Sequence, residues 1–196
     1  SRAVVSATEG SPVAVYHPGT QVVVTESVLA GSEEQPDGTG GAGITVGEGC
    51  GSFSFVRSAL VDVFGLGLLA FQLDASNPQT TIGVSRSLIA RVRPTSGLSL
   101  GQGIWANDVS LTLEQTTLAD SQGFGLLAFG PDTTITTFEA LVTDTRVSED
   151  QYWGHGVHLY GGASLTMERS AVVRNQMIGL FVDDPGDAEV EDLGVG

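Results

Sequence analysis

The sequence predicts an all-β solenoid, a right-handed parallel β-helix of about seven coils with three short strands per coil. Three observations carry this reading. Apolar residues alternate in short φ-x-φ pieces (φ is apolar), as half-buried strands require. The pieces recur in a fixed order, clearest in Gly156-Val157-His158-Leu159 and then Ser164-Leu165-Thr166-Met167-Glu168-Arg169-Ser170-Ala171-Val172. The corners that join one coil to the next alternate strictly in length.

The first strand of each coil turns inward Val13/Val15, Ile44/Val46, Leu68/Ala70, Ile104/Ala106, Leu126/Ala128, Val157/Leu159 and Leu180/Val182. The second turns inward Val22/Val24, Phe53/Phe55, Ile82/Val84, Leu111/Leu113, Ile135/Thr137, Leu165/Met167 and Ala188/Val190. The third pairs a small residue with an aliphatic one: Ala3/Val5, Ser27/Leu29, Ser58/Leu60, Ser87/Ile89, Thr116/Leu118, Ala140/Val142 and Ser170/Val172. Thr137 is the single exception to apolarity. A two-residue bend precedes each small residue.

From the third strand to the next first strand, the step is 8 residues (Val5→Val13), 15 (Leu29→Ile44), then 8 and 15 again to Leu180. The repeat is therefore two coils, with Val13→Leu68 spanning 55 residues and Leu68→Leu126 spanning 58. Strands in a ladder lie about 4.8 Å apart, so the long corners Gly31–Gly43, Arg91–Gly103 and Asp144–Gly156 are expected to stack roughly 10 Å apart along one edge. A further excursion, Phe71 to Thr81, interrupts one coil. The chain opens and closes inside a repeat, so residues 1–196 read as one β-helix segment truncated at both ends.

Composition supports a thin repetitive core: aromatics are 7% and Gly numbers 27 in 196 residues. The charge is −15, from 23 Asp and Glu against 8 basic residues, all Arg. Such a surface argues against nucleic acid, which needs a basic footprint. No apolar run is long enough to insert into a membrane. The single Cys50 cannot form an internal disulfide and reads as a small turn hydrophobe.

The units GVHLYGGASLTMERSAVVRN, GITVGEGCGSFSFVRSALVD and GIWANDVSLTLEQTTLAD resemble right-handed parallel β-helix repeats of the pectin-lyase-like superfamily. More narrowly, the long corner in VTDTRVSEDQYWGHGVHLY resembles uncharacterised secreted or surface-anchored bacterial β-helix repeat proteins. The resemblance implies the fold and an extracellular or bacterial cell-surface location. It does not choose an activity, since the superfamily holds lyases, polygalacturonases, tailspikes and adhesins.

A polysaccharide-cleaving member would need clustered acids on or beside an outward strand face, and glycoside hydrolysis a carboxylate pair. The outward positions of the first strand are Ala14, Thr45, Leu69, Trp105, Leu127, His158 and Phe181, without an acid. The third strand has none either, and the second has only Glu189. Acids gather at the corner column Gly31, Asp62, Arg91, Asp120, Asp144 and Arg174 instead. There Asp62–Arg91–Asp120 and Asp144–Arg174 are expected to pair across coils. A catalytic reading would make Arg91 the base and Asp120 with Asp144 calcium ligands; a ladder of surface ion pairs is the simpler account.

No catalytic residue and no metal set is therefore assigned. His155 and His158 could approach a metal with Glu149 and Asp150, but strand alternation is expected to point the two histidines apart. The corner acids Glu33, Glu34, Asp37, Glu149 and Asp150 offer weak Ca²⁺ ligation at most, without a calcium-repeat spacing. What exceeds the structural minimum is the apolar outward column with Trp105, His158 and Phe181, bordered by Tyr152 and Trp153 of the third long corner. These five are the candidate binding residues. The expectation is a non-catalytic extracellular scaffold or binding surface for polysaccharide or a surface protein. The alternative is a polysaccharide lyase or glycoside hydrolase whose catalytic residues lie mostly outside this segment.

Overall fold

The computed structural model describes residues 4–9, 11–34, 41–74, 76–97, 101–148, 153–183, 188–191 and 194–195. It is all-β and forms a right-handed parallel β-helix of three parallel sheets. The first sheet stacks Val13–Val15, Ala42–Gly47, Leu66–Phe71, Gly101–Asn107, Gly123–Phe129, His155–Tyr160 and Leu180–Asp183. The second stacks Gln21–Thr25, Ser52–Val56, Thr81–Ser85, Ser110–Glu114, Thr134–Phe138, Ser164–Glu168 and Ala188–Glu191. The third runs from Val4–Glu9 through Val28–Glu33, Ala59–Phe64, Leu88–Arg93, Thr117–Ala119, Leu141–Thr143 and Ala171–Val173 to Gly194–Val195.

The register follows the inward columns. Ile44 pairs with Leu68 and Leu68 with Ile104 on the first sheet. Phe53 pairs with Ile82 on the second, and Leu60 with Ile89 on the third. Side chains such as Phe53, Phe55, Leu60, Ile82, Ile104 and Leu113 are fully buried. Each contributes about 1.5–3 kcal/mol by leaving water. Cys50 lies in this core as a free thiol, its Sγ donating to the Thr20 carbonyl, and burial raises its pKa.

The small residues of the third strand do more than fit. Ser58 Oγ accepts from Ser27 N at 3.0 Å and donates to Val56 O at 2.8 Å. Ser87 does the same for Ser58 N and Ser85 O. The bend leaves an N–H without a ladder partner, and a hydroxyl from the next coil supplies one. Thr137, 1% exposed, meets Ser170 Oγ at 3.0 Å, so the one polar inward residue of the second strand is satisfied.

The bends are columns of non-glycine residues with positive φ. Glu26, Arg57, Arg86, Gln115, Glu139 and Arg169 form one, with φ between 47° and 52°. Asp62, Arg91, Asp120, Asp144 and Arg174 form the other, with φ between 54° and 58°. This conformation costs an L-residue on the order of 1–3 kcal/mol. Stacking offsets it: Arg57 N donates to Ser85 O, Arg86 N to Glu114 O and Gln115 N to Phe138 O in the next coil, each at 2.9 Å.

A glycine column runs up the first sheet. A Cβ on Gly125 would sit 2.6 Å from Gly156 O, and one on Gly156 would sit 2.7 Å from Gly179 O. Gly67 and Gly103 face their successors in the same way. These glycines face the interior: a Cβ at Gly156 would also meet Val172 Cγ1. Val157, next along, is inward as well. The inward–outward alternation therefore slips by one residue at each of these glycines.

Candidate functional site

The slip at the glycines decides what the outer face of the first sheet carries. Alternation predicts that His155 and His158 diverge; instead both lie on the outer side, with ring centroids 5.6 Å apart. Two successive inward residues, Gly156 and Val157, separate them. The ladder repeats the arrangement, because His155 pairs with Phe124 and Phe124 with Gln102. The outer face thus has three columns. One holds Gln102, Phe124 and His155. The central one holds Leu69, Trp105, Leu127, His158 and Phe181. The last holds Phe71, Asn107, Phe129, Tyr160 and Asp183.

Aromatic rings converge at the upper end of this face. Trp153, from the third long corner, lies over His158 with centroids 6.0 Å apart and planes 27° apart. Phe124 touches Trp153, His155 and His158 at centroid distances of 5.3, 5.9 and 5.3 Å. Phe181 stacks on His155 at 5.2 Å and meets His158 edge-on at 4.8 Å. Phe129 stacks on Tyr160 at 5.2 Å. Ser148 pins the corner: its backbone N donates to Trp153 O, and its Oγ accepts from Trp153 N at 3.1 Å.

His155 and His158 are 4% and 7% exposed. Burial lowers the pKa of both; for His158 the neighbouring His155 lowers it further, and Asp183 opposes. Both nitrogens of His158, Nδ1 of His155 and Oε1 of Gln102 are buried without a hydrogen-bond partner. Buried polar atoms are almost always satisfied, so this concentration sets the outer face here apart from the rest of the sheet.

The space beside them is a cleft of about 310 Å³ lined by Gln102, Phe124, Leu127, Trp153, His158, Tyr160 and Asp183. A second cleft, of about 240 Å³ and lined by Trp105, Leu127, Phe129 and Tyr160, continues from it. Leu127 and Tyr160 line both. Of the five candidate residues, Trp105, Trp153 and Phe181 are half-buried here and His158 forms the floor. Tyr152 lies outside the described residues. Gln102, Phe124, Phe129 and Tyr160 escape a reading by simple alternation that assigns one outward residue to each strand. Phe129 and Tyr160 are two positions beyond Leu127 and His158, and that offset was the available signal.

The acidic corner is differently wired than expected. Arg91 forks onto Asp62 at 2.6 and 2.8 Å, and Arg174 onto Asp144 at 2.8 and 2.8 Å. Asp120 does not pair with Arg91. Arg93 reaches it at 3.1 Å, and Arg146 Nε lies 2.7 Å away as an ion pair off the hydrogen-bonding angle. The chain continues as a strand past Arg91, so Arg93 rather than Arg91 faces the next coil's carboxylate. Asp144 is held down to about 2, chiefly by the Arg174 guanidinium. Arginines therefore occupy the carboxylates that a calcium or catalytic reading would use.

The first two long corners meet, Glu34 accepting from Ser96 N at 2.8 Å and from Ser96 Oγ. The side chains of Glu33, Asp37, Glu149 and Asp150 lie outside the described residues. Among the described residues, no three His, Cys, Asp or Glu side chains gather as a metal set. No protein family, characterised protein or solved structure matches this chain.

Proposed function

We propose that this chain is a non-catalytic β-helix scaffold, secreted or displayed on a bacterial surface, that binds carbohydrate along the outer face of its first sheet. On this reading it is a binding member of the pectin-lyase-like superfamily. One observation carries the proposal: the cleft is walled by Phe124, Leu127, Trp153 and Tyr160, with the polar residues Gln102, His158 and Asp183 among its lining. Flat apolar walls with a few convergent polar groups suit a pyranose ring, which has C–H faces and a hydroxyl rim. Among the described residues, Asp183 is the one carboxylate lining the cleft, whereas glycoside hydrolysis uses two.

The test is a glycan-binding screen of the chain, followed by calorimetry on the hits. Trp153→Ala and Trp105→Ala should each weaken binding by about tenfold or more, as truncation of buried aromatic anchors does. Unchanged binding in both variants would overturn the cleft as the binding face. Cleavage of a bound polymer that Asp120→Ala abolishes would overturn the non-catalytic reading.

A further inference from the structure

We infer that the outer face of the third sheet is a self-association surface, on which a second copy of this chain docks antiparallel about a twofold axis between the coils of Leu88 and Thr117. The inference is independent of the carbohydrate reading, which concerns the first sheet.

This face is apolar where a solvated strand surface carries polar residues. Its central column, in ladder register, is Val28, Ala59, Leu88, Thr117, Leu141 and Ala171. Each is half-buried or exposed, Val28 at 40%. The next outward column, from Ala30 and Val61 to Val173, adds no charge. Six coils spaced by about 4.8 Å make an uncharged strip roughly 24 Å long. On a chain of net charge −15, an uncovered apolar strip marks an interaction surface. Beside it runs the positive-φ column Glu26, Arg57, Arg86, Gln115, Glu139 and Arg169, each two residues before its neighbour on the face. Rim and face bound a shallow groove of about 950 Å³ along Val28, Ala59 and Leu88.

The order of charges along the rim decides the partner. An antiparallel twofold sets the first of these six coils against the sixth. Glu26 then faces Arg169 of the second copy, Arg57 faces Glu139, and Arg86 faces the Gln115 amide. The floor follows the same rule, large against small: Val28 on Ala171, Leu141 on Ala59 and Leu88 on Thr117. An isologous interface requires this self-complementarity. A parallel twofold would set this rim against the Asp62–Arg174 column and put Arg86 on Arg91, Glu139 on Asp144 and Arg169 on Arg174. In the antiparallel copy that second rim brings Arg91 to Asp120. Its one like pair, Asp62 on Asp144, is neutralised within each chain by Arg91 and Arg174. The first rim is also paired internally, Arg57 with Glu26 and Arg169 with Glu139, so its charges select orientation while the floor supplies affinity. A strip this narrow gives a weak dimer.

The test is sedimentation velocity of the chain over about a hundredfold range of concentration, reaching about 1 mM. A concentration-dependent dimer is expected. Arg57→Glu and Glu139→Arg each place like charges at both ends of the twofold interface. Each should weaken dimerisation at least about tenfold, with circular dichroism confirming the fold. An equimolar mixture of the two variants should associate as wild type does, because each substituted residue then meets an opposite charge across the interface. Two variants that fail only through misfolding would not rescue each other. A monomer at every concentration would overturn the inference and leave the face to a partner of different sequence. A dimer that both variants retain, or that their mixture fails to restore, would overturn the antiparallel face.

Discussion

The Trp153 indole lies over the His158 imidazole, centroids 6.0 Å apart, and so ties the third long corner to the outer face of the first sheet. The corner thereby becomes one wall of the cleft and keeps the imidazole from water. Trp153→Ala should return His158 toward the ordinary histidine pKa, since burial is the largest cause of its lowering. Proton NMR titration of the imidazole Cε1–H resonances in both proteins would measure this. An unshifted His158 resonance would show that Trp153 does not shield it.

The same burial makes stability depend on pH. The folded-state pKa values of His155 and His158 lie below the ordinary 6.5. The unfolded chain therefore binds protons first as pH falls, and stability is fully present above 6.5 and lost through the folded values. Asp144, lowered from 3.8 to about 2, adds a second loss of the same sign in that lower window. Urea unfolding at several pH values should show two separate declines. His155→Phe with His158→Phe should remove the upper one and leave the lower.

Ser170 supports a second coil as well as its own. Its Oγ donates to Glu168 O, accepts from Ala140 N and meets Thr137 Oγ1. Ser170→Ala would leave the Ala140 N–H buried without a partner, at a cost of roughly 1–3 kcal/mol. Thr137→Val keeps both backbone bonds and should cost less. Shifts of the urea midpoint with unchanged slope would measure both, and equal shifts would contradict this assignment.

Gly125→Ala would place a methyl group 2.6 Å from Gly156 O. The cost should reach about 1–3 kcal/mol from overpacking. A melting temperature equal to wild type would mean that the coils separate there more easily than the ladder suggests.

Much of the fold was legible because a solenoid repeats its physics. Val157, Leu165 and Val172 mark inward positions by alternation, and stacking forces each coil to copy the register of its neighbour. The two-coil period and the long-corner edge followed from spacing alone. Three features did not. The Ser column looked merely small, because the N–H that Ser58 serves belongs to Ser27 in another coil. Arg93 displaced Arg91 as the partner of Asp120, because the strand runs on past the bend. His155 joined His158, because Gly156 and Val157 both turn inward.

The sequence by itself determined the coil, its three inward columns, its alternating corners and an outward strip containing Trp105, His158 and Phe181. Tertiary structure alone decided that this strip is a cleft. Periodicity encodes which side of a strand a residue occupies, and it holds only while the pleat is unbroken. The glycine column breaks the pleat so that backbones can approach, and this brings Gln102, Phe124 and His155 onto the outer face. Trp153 then closes over His158 through a corner whose path no local pattern specifies.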